Sequence, residues 1–131
     1  PGHDFGYRPF PKLQMMALET LALDILARHS IPPRNVVGHS DIAPTRKNDP
    51  GELFDWRSLA AKGIGMWPER AANGPYNVMD ALETVGYETL DYARALAAFQ
   101  RHFRPVEIQG VSDPDTLCWL QGTVELVEKM G

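Results

Sequence analysis

Residues 36–51 read Val36-Val37-Gly38-His39-Ser40-Asp41-Ile42-Ala43-Pro44-Thr45-Arg46-Lys47-Asn48-Asp49-Pro50-Gly51, and the reading of this stretch decides the fold. It opens on a short apolar run whose paired valines suit a buried strand. It then presents a histidine, a turn-rich loop, a lysine, and an aspartate fixed by Pro-Gly. Just upstream, Leu18, Leu21, Ala22, Ile25, Leu26 and His29 recur at helical spacing, which predicts a helix over 12–29. Ser30-Ile31-Pro32-Pro33 ends it, because proline cannot continue the hydrogen-bonding pattern and restricts the residue before it. His29 falls in the last turn, where a capping or packing role suits it. Helix, connection and strand in that order imply an α/β layer. No other run reads as a strand, so the sheet is expected to be incomplete, with partner strands supplied from elsewhere. Pro1-Gly2 reads as a cut start.

Length and composition bound the rest. The 131 residues fit one ordinary domain or two small ones. With 44% hydrophobic and 23% charged residues the chain is globular. A formal net charge of −4 argues against a nucleic-acid binder, which usually shows a basic face. No run approaches the roughly 20 apolar residues that a membrane span needs. The single cysteine, Cys118, allows no intrachain disulfide and reads as a small buried residue. The sequence assigns no oligomeric state.

Downstream of the loop, Asp55 is a plausible cap for a short helix from Trp56 to Ala61, stopped by Gly63. The polar, turn-rich stretch Glu69 to Pro75 marks a domain boundary, with residues 1–70 on one side and 76–131 on the other. Three helices are expected beyond it. The first runs from Tyr76 to Val85. The second runs from Leu90 to Phe103, with Tyr92, Leu96, Phe99 and Phe103 on one side. The third runs from Asp113 to Lys129, capped by Ser112 or Asp113, with Pro114 in its first turn. Three short helices make a small all-α bundle near the lower size limit for independent folding. His102 reads as a surface residue. The expected fold class is therefore α/β, an incomplete mixed sheet, followed by an all-α three-helix bundle.

The loop carries the candidate chemistry. His39 offers an imidazole nitrogen and Asp49 a carboxylate oxygen, a donor set that suits zinc. Ten positions apart, they share no helix face, but converge if the chain folds back at Pro44 and at Pro50-Gly51. The ammonium of Lys47, two residues before Asp49, suits an oxyanion developing nearby. The same residues also admit a structural reading. Asp49 before Pro-Gly can hold a turn through its side chain, Asp41 can cap the loop, and Arg46 and Lys47 can be solvated charges.

The segment GHSDIAPTRKNDPGELFDW, with PGHDFGYRPFPKLQ and the helix up to IPPRNVV before it, resembles the zinc-dependent N-acetylmuramoyl-L-alanine amidases of the amidase-2 family. The resemblance covers about residues 1–68. It implies Zn2+ as cofactor, His39 and Asp49 as metal ligands, and Lys47 as a catalytic residue. It further implies a second zinc-binding histidine and a glutamate base, which no residue here matches and which are expected before Pro1. His3 belongs to the loop after that glutamate and is a candidate for the substrate groove. Residues 76–131 resemble the three-helix peptidoglycan-binding module often appended to wall hydrolases, through Leu90, Ala95, the run Ala98-Phe99-Gln100-Arg101-His102-Phe103, and Gly110 to Leu117.

The resemblance thus implies hydrolysis of the amide between the lactyl group of muramic acid and L-alanine, in peptidoglycan or in muropeptides. The alternative is a non-catalytic peptidoglycan-binding fragment or pseudoenzyme. A wall-binding module fits the periplasm or cell envelope, with the cytoplasm as the other placement.

Overall fold

The computed structural model describes residues 8–105 and 110–130. Among the described residues there are six α-helices: α1 (Lys12–Arg28), α2 (His39–Ile42), α3 (Trp56–Ala61), α4 (Val78–Val85), α5 (Tyr92–Phe103) and α6 (Pro114–Lys129). A single 3-10 turn, Pro33–Asn35, follows α1.

The expected sheet is not there. Among the described residues no segment pairs as a strand, and every regular element is helical. The α/β mixed-sheet expectation is therefore corrected. Asn35 ends the 3-10 turn, and Val36 takes extended backbone angles (φ −92, ψ 101). Extended geometry is not a strand until its N–H and C=O groups meet a neighbour's ladder. Val36 instead lays its side chain on the cluster around Trp56, while Val37 stays exposed.

Helices α3 and α6 start at the expected caps, whereas α4 and α5 begin two residues later than expected, at Val78 and Tyr92. Asp55 accepts from the Ser58 N–H, Asn77 from Asp80, Asp91 from Arg94 and Asp113 from Thr116, each side chain satisfying an orphan donor of the first turn. Gly86 closes α4 at φ 126, a conformation that side chains rarely adopt. Arg28 is the last residue of α1; His29 has left the helix and occupies its C-cap.

Two apolar clusters result. The larger is made by α4, α5 and α6, where Leu82, Leu96, Phe99 and Leu120 are completely buried. The smaller gathers Trp56, Leu59 and Ile64, with Met15, Leu18, Ala22 and Leu26 of α1 against them. Trp67 touches both clusters. Helix α1 buries no residue completely, and Leu13, Met16, Leu21 and Leu23 face outward. No described helix is long and apolar enough to cross a membrane.

The connector after Trp67 is pressed onto α6. The Ala71 N–H donates to the Cys118 carbonyl (3.1 Å). A Cβ added at Gly122 would lie 1.8 Å from the Glu69 carbonyl oxygen, so the helix has room for glycine only at that position. Gly122→Ala should force the connector off α6 and cost about 1–3 kcal/mol, as overpacking of a tight contact does. The urea midpoint of the purified variant checks this, and an unchanged midpoint would contradict the close approach.

Candidate functional site

The loop after Val37 folds back on itself. Gly38 caps α2, and its N–H donates to Asp41 Oδ2 (2.8 Å). The Ser40 N–H donates to the Asp49 carbonyl (2.9 Å). A Cβ on Gly38 would meet Pro50 Cδ at 2.6 Å, so a side chain there would block the return. The Arg46 and Lys47 N–H groups both donate to the Ala43 carbonyl, which tightens the middle of the loop. These backbone contacts bring residues ten positions apart side by side.

His39 Nδ1 consequently lies 3.3 Å from Asp49 Oδ2, with both side chains about half exposed or more (49% and 65%). That separation is long for an N–H···O hydrogen bond, whose usual length is about 2.9–3.0 Å. The chemistry of the pair, one neutral nitrogen and one carboxylate oxygen open to solvent, fits two positions of a zinc site. Among the described residues no third histidine, cysteine or carboxylate joins them.

Lys47 is exposed, and its side chain lines a groove with Arg46, Arg94 and Arg101. Among the described residues no hydrogen bond or ion pair ties its ammonium to the His39–Asp49 pair. His3 lies outside the described residues.

Beneath the exposed pair sits a buried network. Asp41 is 7% exposed, and its carboxylate takes three donors: the Gly38 N–H, the Tyr87 hydroxyl at 2.5 Å, and His102 Nδ1 at 2.8 Å. With a carboxylate as acceptor, the His102 proton resides on Nδ1. The His102 ring stacks on Trp56 with centroids 4.0 Å apart, and its Nε2 is buried without a partner. Burial, then the charge of Asp41, then the hydrogen bond to it push the Tyr87 phenol well above its ordinary range. Away from this network, the Arg94 guanidinium donates to the Thr45 carbonyl (2.7 Å), so α5 holds the loop at a second point.

This corrects the surface reading of His102, which is 5% exposed. Its spacing, one helical turn after the buried Phe99, places it beside the core but does not by itself decide its burial. Asp41 does cap the loop, as its position suggests; its two long-range partners, Tyr87 and His102, are invisible to local pattern.

Comparison with known proteins bears on the same residues. The family model for N-acetylmuramoyl-L-alanine amidases matches residues 2–52, which include His39, Lys47 and Asp49. N-acetylmuramoyl-L-alanine amidase AmiD of Escherichia coli (strain K12) is 40% identical over 144 aligned positions, covering 95% of this chain and 51% of AmiD. The structure of AmiD in complex with the substrate anhydro-N-acetylmuramic acid-L-Ala-D-gamma-Glu-L-Lys superposes with a TM-score of 0.78 at 40% identity, over 90% of this chain and 53% of that one. AmpDH3 from Pseudomonas aeruginosa gives a TM-score of 0.83 at 34% identity, over 92% and 55%. The chain thus spans about half the length of these relatives.

The raised phenol has a stability consequence. Below pH ~10, the ordinary tyrosine value, Tyr87 is protonated whether folded or unfolded, and its contribution is complete. Above that, the unfolded phenol ionises while the buried one does not, so stability falls as pH rises. Tyr87→Phe should cost about 1.5–3 kcal/mol near neutrality, as for a hydrogen bond to a charged group, and the difference from the parent should shrink above pH ~10. Urea midpoints of both proteins on either side of that pH test the sign.

Proposed function

We propose that this chain belongs to the N-acetylmuramoyl-L-alanine amidase family, whose model matches residues 2–52, and that it contributes to zinc-dependent hydrolysis of the amide joining the muramic lactyl group to L-alanine. The observation that carries this reading is the convergence of His39 and Asp49 to 3.3 Å on an exposed loop within the matched segment. On this reading residues 1–70 belong to the catalytic unit and residues 76–131 form a peptidoglycan-binding helical module. The substrate is peptidoglycan or a muropeptide, a class supported by the muropeptide bound to AmiD. The cell envelope is the location that this substrate favours.

His39 and Asp49 would hold the zinc, and when bound it supplies Lewis-acid polarisation of the scissile carbonyl. The chain's own contribution is to keep those two ligands in place. The carbonyl of Asp49 is held by Ser40, and Gly38 packs against Pro50, so the backbone that carries both residues is held by contacts within the loop. Lys47 is exposed, and on its long stem it would donate ammonium protons to the oxygen on which negative charge develops. His3, within the matched segment, is proposed to line the substrate groove.

The ligand assignment is tested by titrating metal-free protein with zinc. About one site per chain is expected, and His39→Ala or Asp49→Asn should weaken it by about ten-fold or more. A His39→Ala variant that titrates like the parent would sink the assignment. In a muropeptide hydrolysis assay Lys47→Ala should lower kcat about 10²–10³-fold, the usual effect of removing one oxyanion donor, with little change in KM.

A further inference from the structure

One polar ring sits in an aromatic stack near the C-terminal end of α5. His102 is 5% exposed and stacks on both Trp56 and Phe103, with centroids 4.0 and 3.9 Å away. Its Nε2 is buried without a partner among the described residues. A buried polar atom left unpaired destabilises a fold. A phenylalanine would fill the same stack without that penalty. What the histidine alone supplies is a donor at Nδ1, and that donor goes to Asp41 Oδ2 at 2.8 Å.

Asp41 passes the contact on to the ligand loop. The same Oδ2 accepts from the Gly38 N–H, and the Asp41 N–H donates back to the Gly38 carbonyl (3.1 Å). Those two bonds hold the peptide groups on either side of Gly38, from which His39 opens α2. The next residue, Ser40, ties down the Asp49 carbonyl (2.9 Å). Tyr87 holds the other carboxylate oxygen, Oδ1, at 2.5 Å. The carboxylate is thus gripped from outside the loop at both oxygens, and it cannot turn without losing a donor. Asp41, Tyr87 and His102 are all buried, so solvent does not replace a donor that is removed. Arg94 also holds the loop, at the Thr45 carbonyl, but that contact is exposed, where water substitutes readily.

We propose that His102 and Tyr87 are positioning residues for the His39–Asp49 pair, acting on it through Asp41. Among the described residues neither bonds to His39 or Asp49; each acts on the backbone that carries them. The proposal rests on the metal-ligand reading above. It adds two residues from beyond the segment 2–52 that the family model matches.

Amide hydrogen exchange in the metal-free chain reads the loop at the Ser40 N–H, whose acceptor is the Asp49 carbonyl. His102→Asn and His102→Gln both lose the ring stack. Asparagine keeps a donor near the position of Nδ1, whereas glutamine carries its amide further out, toward that of Nε2. Tyr87→Phe keeps its ring and loses its donor. Val127→Ala truncates a buried apolar side chain of α6 and has no polar role. Ser40 exchange should quicken about ten-fold or more in His102→Gln and in Tyr87→Phe, the factor that one hydrogen bond to a charged group carries. It should stay near the parent's rate in His102→Asn and in Val127→Ala. Zinc affinity of the same chains should follow the same order, about ten-fold weaker in His102→Gln and recovered in His102→Asn. Equal acceleration in His102→Asn and His102→Gln overturns the proposal, because the stack and not the bond would then set the loop. So does equal acceleration in Val127→Ala, the mark of a merely structural role, or an unchanged rate in His102→Gln and Tyr87→Phe. If either His102 variant does not fold, Tyr87→Phe against Val127→Ala decides by the same measurement. A parent chain that takes up no zinc counts against the metal reading and leaves Ser40 exchange to decide the positioning.

Discussion

One buried carboxylate holds this structure together. Asp41 lies on α2 in the middle of the candidate loop, and it is almost wholly withdrawn from water. An ionised carboxylate in that position is costly unless its lone pairs are met. Three donors meet them, and they come from three parts of the chain: Gly38 at the start of the loop, Tyr87 after α4, and His102 on α5. Removing any one donor leaves part of a buried charge uncompensated, which costs more than an average hydrogen bond contributes. The loop and the helical bundle are therefore not independent, because each supplies what the other's buried polar groups require.

That coupling bears on what the helical part is for. A wall-binding module tethered by a linker would raise local substrate concentration and do little else. Here α5 does more. His102 stacks on Trp56 and bonds Asp41, Arg94 holds the Thr45 carbonyl, and both contacts fix the loop that presents His39 and Asp49. On the proposed reading, the bundle keeps the two ligands at their spacing as well as carrying substrate. The cost of ordering an exposed loop is met when the chain folds, not when metal or substrate arrives.

How much of this was legible in the sequence depends on the range over which each feature is decided. Helix starts are local, and Asp55 and Asp113 cap where their residue types suggest. Helix stripes are nearly local, so Leu96, Phe99, Leu120 and Val124 are buried as their spacing implies. The strand at Val36-Val37 was not legible, because β-propensity records only fitness for a pleated surface, and a strand exists only with a partner. The local sequence instead favoured a 3-10 turn on Pro33 and a one-turn helix on His39, with Gly38 extended between them. His102 failed for a related reason. A histidine one turn from a core phenylalanine is buried or exposed according to what packs above it, and here that is Trp56, nearly fifty residues away in sequence.

The candidate site shows the same division. The His39–Asp49 pair closes through contacts made within the loop: Ser40 to the Asp49 carbonyl, and Gly38 against Pro50. A local motif can therefore specify it, which is why the family pattern points to these two residues where their spacing alone left a structural reading open. The basic groove is different, since one wall is loop and the other is α5, about fifty positions on. No motif in the loop can anticipate Arg94 or Arg101. The candidate ligand pair is thus set within sixteen consecutive residues, whereas the groove depends on how the loop packs against α5. A substitution in α5 that leaves Asp41 bonded would alter the groove without disturbing the His39–Asp49 pair. A substitution that breaks the Asp41 network would disturb both at once.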